Sequence, residues 1–464
     1  MAETITIPIW LFTALVLIAL VASVSWLLLP SIRIILRRRV SRVIEDVNTR
    51  LQIELRPFQL TRRQTLIDRL VHDPEVIAAI NEEAQSSGEA REVLRTKVSR
   101  YAREIVPAFN AYMYFRLGYW FARGIAQRLY RVRIAQLDDK RFAEIDPDAT
   151  VVFVMNHRSN MDYVLVSCLV AERTALSYAV GEWARIWPLQ TLVKSMGGFF
   201  VRRNSRNSLY RKVLERYVNM ASREGVCQAV FIEGGLSKDG KLRPPKLGFL
   251  GYMLRDFVPQ RDRDVVLVPV GINYDRTLED RTLLRGLDEN AERRSAWFAI
   301  KTTIVFVLKN IRLMIGSRWR RLGYASAAFG RPISMRDYLN SHPELVDAGR
   351  GLKDVEPLAN ALLDDLRGLI PVLPVAVVAR ALLQTSEYPA SEDALLTHAK
   401  SIVSESESNG AVIGIPQTTQ HFSLATALEM LVFRHIVDCD EDGRYTVPDE
   451  SKSILAYYAN SLSA

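Results

Sequence analysis

Cysteine and histidine are scarce in this chain. Its 464 residues include three cysteines, Cys168, Cys227 and Cys439, which lie far apart with no CxxC pair. That spacing argues against a disulfide framework or a cysteine-based zinc site and points to a reducing compartment. The GxxxxGK[ST] order of a phosphate-binding loop is missing, and so are a GxSxG turn and any Cys/His arrangement for a covalent nucleophile. The net charge of +9 implies an acidic partner, yet no helix-turn-helix, zinc or RNA-recognition pattern accompanies it, so nucleic acid rests on charge alone. Anionic lipid, an acidic carrier or a phosphorylated substrate remain. Apolar material is not lacking: 48% hydrophobic and 24% charged residues suffice for two or three domains with real cores.

The amino terminus narrows the choice. Ile9 to Leu29 carries no charge and as a helix would span roughly 31 Å, about the thickness of a bilayer core. Glu3 is the only charge ahead of it, unlike the positive start of a cleaved secretory signal. Residues 1–30 are therefore expected to be a transmembrane signal anchor, one pass through the inner (cytoplasmic) membrane. Arg33, Arg37, Arg38, Arg39 and Arg42 follow, which puts the rest of the chain in the cytoplasm with basic side chains against anionic membrane lipids. The plainer reading is that these arginines only set topology.

Residues 31–130 form a helical, membrane-proximal region. Apolar residues recur three and four apart, with breaks at Asp73-Pro74 and Ser86-Ser87-Gly88. His72 beside the first break is expected to cap or to face solvent. The stretch "YMYFRLGYWFARGIAQRLYRVRI", 112–134, mixes aromatics with arginines; an interfacial helix and an aromatic core helix both fit it.

From 131 the texture alternates. Apolar runs at 151–155, 197–201, 228–232 and 265–270 are separated by helix-like stretches, which predicts an α/β domain over 131–350 with a buried sheet. Each run ends in a polar cluster, and ligands collect where strands of such sheets end, so the four clusters are candidates for one site. In "VVFVMNHRSNMDYVLVS" the strand stops at Asn156-His157. Positions five apart on a helix are about 140° out of phase, so His157 and Asp162 can meet only if a loop enters a helix between them. Asp162 then either holds the imidazole in one tautomer so that the other nitrogen accepts a proton, or serves as the third-residue acid of a cap begun by Ser159. Both readings stand.

The second cluster, "GGFFVRRNSRN", sets Arg202, Arg203 and Arg206 behind a strand; such arginines suit phosphate or carboxylate, or only a solvated basic face. In "VFIEGGLSKDGKLRPPKLG", Glu233 and two glycines end a strand and Lys238, Lys241, Arg243 and Lys246 surround a turn. The fourth, "VVLVPVGINYDR", ends its strand at Pro269 and presents Tyr274, Asp275 and Arg276. Residues 351–464 are mainly helical, with a small hairpin at "IVDCDEDGRYTVPD" and a flexible loop at "SESESNG", 404–410. His398, His421 and His435 there are packing or surface residues.

These four blocks, NHRSNMD, GGFFVRR, FIEGGLSKDGKLRPPKLG and VPVGINYDR, in this order, resemble those of the glycerolipid acyltransferase superfamily, specifically its glycerol-3-phosphate and dihydroxyacetone-phosphate acyltransferase branch. The similarity covers roughly residues 145–340, including a later strand "YASAAFGRPISM", and extends more weakly to a tail ending "ILAYYANSL". It implies an α/β acyltransferase domain with a mixed central sheet flanked by helical regions. It implies that His157 is the general base that deprotonates an acceptor hydroxyl attacking an acyl thioester, with Asp162 as its partner and without metal or other cofactor. The substrate-binding set it implies is Arg158, Ser159, Arg202, Arg203, Glu233, Gly234, Gly235, Ser237, Lys238 and Pro269. The expected donor is acyl-CoA or acyl carrier protein, and the expected acceptor is the sn-1 hydroxyl of glycerol-3-phosphate. A lysophospholipid or dihydroxyacetone phosphate is the alternative acceptor. Leu236 departs from the pattern, standing where the branch usually carries arginine, and Lys238 stands where it often carries a second. Lysine offers a point charge in place of a bidentate fork.

Overall fold

The computed structural model describes residues 55–170, 174–185, 187, 189–202, 205–285, 321–347, 351, 352, 354–386 and 388–462. The anchor expected over 1–30 and its arginines lie outside these residues. Among the described residues no helix is long and apolar enough to cross a membrane. Residues 52–464 form one compact unit.

Its centre is a mixed sheet of β1 (Arg131–Gln136), β2 (Thr150–Met155), β3 (Ser177–Gly181), β4 (Gly198–Val201), β5 (Gln228–Phe231), β6 (Val265–Tyr274), β7 (Tyr324–Phe329) and β8 (Ile333–Ser334). The order is β1-β7-β6-β2-β5-β3-β4, with β8 also on β6. Strands β6, β2, β5, β3 and β4 run parallel, and β7 and β8 pair antiparallel to β6. Strand β2 is central and buried along its whole length. Val152 and Val154 face one core, while Val151, Phe153 and Met155 face the other, so period-two alternation with both faces covered leaves an unbroken apolar run.

The first core is closed by helices Arg63–Val71, Pro74–Ser87, Arg91–Ile105 and Ser208–Arg223. Both helical breaks fall where the sequence puts them. The Asp73 side chain accepts from the amides of Glu75 and Val76 ahead of Pro74, and Gly88 takes φ +71°. The 112–134 stretch is helical only to Leu129, and β1 starts at Arg131. Trp120 and Phe121 on it are 77% and 66% exposed.

Strand β6 corrects one boundary. It runs on to Tyr274, and Pro269 is buried at its middle, opposite Val154, with its carbonyl accepting from the Gly330 amide at 2.8 Å. Proline is tolerated there because it falls between the pairings to β7 and β8, where no partner residue is registered.

The carboxy-terminal third folds around helix Pro374–Gln384, packed by Glu392–Ser408, Gln420–Phe433 and Lys452–Ala459. The expected hairpin is present as Asp438–Cys439 against Arg444–Thr446. The expected loop at 404–410 is instead helix as far as Ser408. Its serine hydroxyls bond back to carbonyls one turn earlier (Ser406 to Ile402, Ser408 to Ser404, both 2.8 Å), and the turn comes at Gly410, φ +79°.

Candidate active site

Strand β2 ends between two parallel neighbours, and its last side chain closes the ladder. The Asn156 amide donates to the Ile272 carbonyl at 2.9 Å and accepts from the Ile272 amide at 2.7 Å, doing for β6 what one more backbone residue would do. His157 is thereby turned toward β5. Its amide donates to Glu233 Oε1 at 2.8 Å and its carbonyl accepts from the Ser237 amide at 2.9 Å. The first and third blocks are thus joined through backbone and carboxylate.

The link to helix Asp162–Val170 is a loop, and it brings the two residues together. His157 Nδ1 lies 2.9 Å from Asp162 Oδ2, and both side chains are buried. The same oxygen accepts from the amides of Arg158 at 2.8 Å and Ser159 at 3.0 Å. One oxygen of Asp162 therefore both meets the imidazole and takes the loop amide of a cap begun by Ser159. A carboxylate that only accepts fixes the proton on Nδ1 and leaves a lone pair on Nε2, which has no hydrogen-bond partner among the described residues. The ring is held flat as well, stacked on Phe231 with centroids 3.6 Å apart and 5° between planes, while Tyr163 meets both rings edge-on. Asp162 Oδ1 and the Tyr274 hydroxyl, both buried, have no hydrogen-bond partner among the described residues. Burial, and then the Asp162 charge, raise the Tyr274 phenol well above its ordinary range, so it stays protonated beside the carboxylate.

The loop after β5 closes on itself. Glu233 also accepts from the Arg243 amide at 3.0 Å, and burial raises its carboxyl from 4.5 to about 7 against the pull of these two amides and nearby arginines. Gly234 has φ +65°, and a Cβ there would come within 2.8 Å of the Lys246 side chain. Ser237 is buried, its hydroxyl donating to the Lys241 carbonyl at 2.8 Å and accepting from the Gly240 amide at 3.0 Å. Gly235 is buried, whereas Lys238, Lys241, Arg243 and Lys246 are exposed, a basic rim on the loop that Glu233 and Ser237 tie to the His157 backbone.

The remaining residues separate. Arg158 is 2% exposed, with Nη1 donating to the Gly240 carbonyl at 2.6 Å. The Ser159 hydroxyl donates to Glu279, which also accepts from the Asn160 side chain at 2.9 Å. Arg202 lies at the end of β4, three strands from β2, where its fork meets Glu104 (Nε to Oε1 2.9 Å, Nη2 to Oε2 2.7 Å) between the rings of Tyr101 and Tyr210. Glu104 also takes Arg185 at 2.9 Å. Arg203 lies outside the described residues. Pro269 is within the sheet, as described. Among the described residues no group of three His, Cys, Asp or Glu side chains is placed to hold a metal ion. Asn156, Phe231, Glu279 and Glu104 were not singled out from the sequence. Asn156 sits inside the first block and was the most accessible of them; an acid 98 residues from its arginine has no local pattern.

Comparison with known proteins gives a consistent picture. The family profile described as Acyltransferase matches residues 137–273, and that described as Glycerol-3-phosphate acyltransferase C-terminal region matches 310–463. The chain is 27% identical over 438 residues to the glycerol-3-phosphate acyltransferase of Aeromonas hydrophila, covering 91% of this chain and 52% of that one. It is 29% identical over 374 residues to that of Pseudomonas aeruginosa (76% and 43%) and 28% over 443 residues to that of Xylella fastidiosa (92% and 49%). The chain spans about half the length of the curated relatives it matches.

Proposed function

We propose, for a chain that belongs to the glycerolipid acyltransferase superfamily and within it to the glycerol-3-phosphate acyltransferase branch, that it transfers an acyl group from an acyl thioester to the sn-1 hydroxyl of glycerol-3-phosphate. The observation that carries this reading is the His157–Asp162 pair at the end of β2, its Nδ1 tied to a carboxylate and its Nε2 left for an incoming hydroxyl. Nε2 takes the hydroxyl proton as the oxygen attacks the thioester carbonyl. The tetrahedral intermediate then collapses, the C–S bond breaks, and the departing thiolate takes the proton back from Nε2. The free thiol leaves, and no covalent enzyme intermediate is needed. Asp162 contributes by stabilising the imidazolium that forms.

The basic rim of Lys238, Lys241, Arg243 and Lys246 and the buried Arg158 supply positive charge for the acceptor's phosphate. The same rim suits either donor, since coenzyme A carries phosphates and an acyl carrier protein is acidic. Arg202 joins this set if its fork leaves Glu104. Attachment to the inner membrane by residues 1–30, with the catalytic domain facing the cytoplasm, fits a reaction whose product is a lipid. The exposed Trp120 and Phe121, interleaved with arginines, support contact with anionic membrane lipids. Carbonate extraction that releases the full-length chain would rule out the anchor.

Leu236, which leaves one phosphate-binding guanidinium of the branch missing, counts against glycerol-3-phosphate as acceptor; a lysophospholipid or dihydroxyacetone phosphate is the alternative. One labelled acyl thioester, offered to the membrane-bound full-length protein with glycerol-3-phosphate, dihydroxyacetone phosphate and lysophosphatidate in turn, decides between them. Acylation of a lysophospholipid with none of glycerol-3-phosphate would overturn the acceptor.

A further inference from the structure

We propose that the carboxy-terminal helix Lys452–Ala459 belongs to the frame of the active site, with Tyr457 positioning Arg158 so that its guanidinium binds a substrate phosphate. The identity of that substrate rests on the acyl-transfer reading above; the positioning does not.

Arg158 is the residue after the imidazole and is almost completely buried. Its charge is not neutralised by an ion pair with any described residue. Nη1 donates to the Gly240 carbonyl, and the guanidinium lies over the Tyr457 ring, 4.8 Å from its centroid. Nε and Nη2 are buried and have no partner among the described residues. A carbonyl and a ring face stabilise a cation but do not satisfy these two N–H groups, and buried donors without acceptors are rare in folded proteins. Two N–H groups on one planar fork match two oxygens of a phosphate. In glycerol-3-phosphate the reacting hydroxyl and the phosphate sit on the two terminal carbons of a three-carbon chain, so the acceptor's phosphate must bind close to the base, and Arg158 is the next residue along. This favours the acceptor's phosphate over those of coenzyme A.

The ring cannot drift. The Thr277 hydroxyl donates to the Tyr457 hydroxyl at 3.2 Å. A Cβ on Gly240 would come within 1.9 Å of the Tyr457 carbonyl, so only glycine lets the 237–241 loop pass between that helix and Arg158. Asn460 donates to the Asp239 carbonyl at 2.9 Å from the same end of the chain. Below Tyr457, Arg434, Tyr458 and Asp280 form a buried cluster tying the carboxy-terminal helices to the segment that carries Glu279. Glu279 in turn holds Ser159 and Asn160. The loop 157–160 is thus gripped from the carboxy-terminal third at two places, and of its residues Arg158 carries the two unpartnered N–H groups.

The test uses the full-length protein in detergent micelles, with glycerol-3-phosphate and palmitoyl-CoA as substrates. Tyr457→Leu removes the ring face and should raise the apparent KM for glycerol-3-phosphate about tenfold, with kcat within about threefold and the KM for palmitoyl-CoA unchanged. Tyr457→Phe keeps the face and loses only the 3.2 Å bond to Thr277, so its KM for glycerol-3-phosphate should stay within about threefold of wild type. A rise confined to palmitoyl-CoA would overturn the acceptor's phosphate as the ligand. Equal losses in kcat for both variants, following a lowered melting temperature, would reduce Tyr457 to a packing residue. Should Tyr457→Leu not fold, Arg158→Lys, which keeps the charge and loses the fork, should show the same KM effect. A second measurement stands apart from the reaction: calorimetric binding of inorganic phosphate should weaken about tenfold in Tyr457→Leu and not in Tyr457→Phe, and equal binding by all three proteins would sink the proposal even if the acyl-transfer reading holds. Conversely, a wild type that binds phosphate but acylates no glycerol-3-phosphate would refute that reading and leave the positioning of Arg158 to be judged on the phosphate data.

Discussion

Replacing Asp162 by asparagine separates its two roles because of how its oxygens are used. Oδ2 alone accepts from His157 Nδ1, Arg158 N and Ser159 N, and Oδ1 has no hydrogen-bond partner among the described residues. An asparagine whose amide oxygen sits at Oδ2 keeps all three contacts, and its NH2 falls beside the Tyr274 hydroxyl, so the loop geometry and the cap survive. What disappears is the negative charge opposite the imidazolium that the proposed mechanism forms on His157. Turnover is expected to fall by roughly two to four orders of magnitude, with stability within about 1 kcal/mol of wild type. Asp162→Ala removes the acceptor itself. Two buried backbone N–H groups are then unmatched, at about 1–3 kcal/mol each, so a loss of roughly 2–6 kcal/mol is expected on top of the lost turnover. Denaturant titrations beside initial rates of acyl transfer measure both quantities. If Asp162→Asn kept turnover within about threefold while losing stability, Asp162 would be a cap only and the acid–base account of this site would be wrong.

His157→Ala should lower turnover by about two to four orders of magnitude with little change in melting, since Asn156 and Glu233 hold the backbone on either side; retained activity would move the base elsewhere. Glu233 gives a pH dependence of stability. Its carboxyl is raised in the folded state from 4.5 to about 7, so the folded protein holds the proton more tightly; this contribution is full below about pH 4.5 and is lost as pH rises through about 7, worth on the order of 3 kcal/mol. Glu233→Gln should flatten that part of a stability-against-pH curve, and an unchanged slope would exclude Glu233 as its source. Arg202→Ala should raise the apparent KM for glycerol-3-phosphate more than that for the donor and should lower the melting temperature, because buried Glu104 loses two of its three bonds. A lowered melting temperature with neither KM changed would assign Arg202 to Glu104 alone.

The sequence by itself determined the parts of this protein whose signals are local. Runs such as "VVFVM" must be strands buried on both faces, because alternate side chains leave opposite sides of a pleated backbone and both are apolar. Asp73-Pro74 and Gly88 set helix ends through a side-chain acceptor and a positive φ that need no distant partner. The His157–Asp162 pair was half legible: a loop of four residues lets the two meet, but the spacing alone left Asp162 as partner or cap. Where a local signal was weak, the same reading failed: Pro269 suggested the end of a strand and "SESESNG" a loop, yet pairing to neighbouring strands carried the first further, and the second runs on as helix to Ser408. Only the tertiary structure decided which distant residues meet. The stacking of Phe231, the grip of Asn156 on Ile272, the capture of Arg202 by Glu104 and the placing of Tyr457 over Arg158 all join residues from 74 to 299 positions apart. Such contacts follow from strand order and from which helix faces meet, and neither is encoded in the periodicity of any one segment.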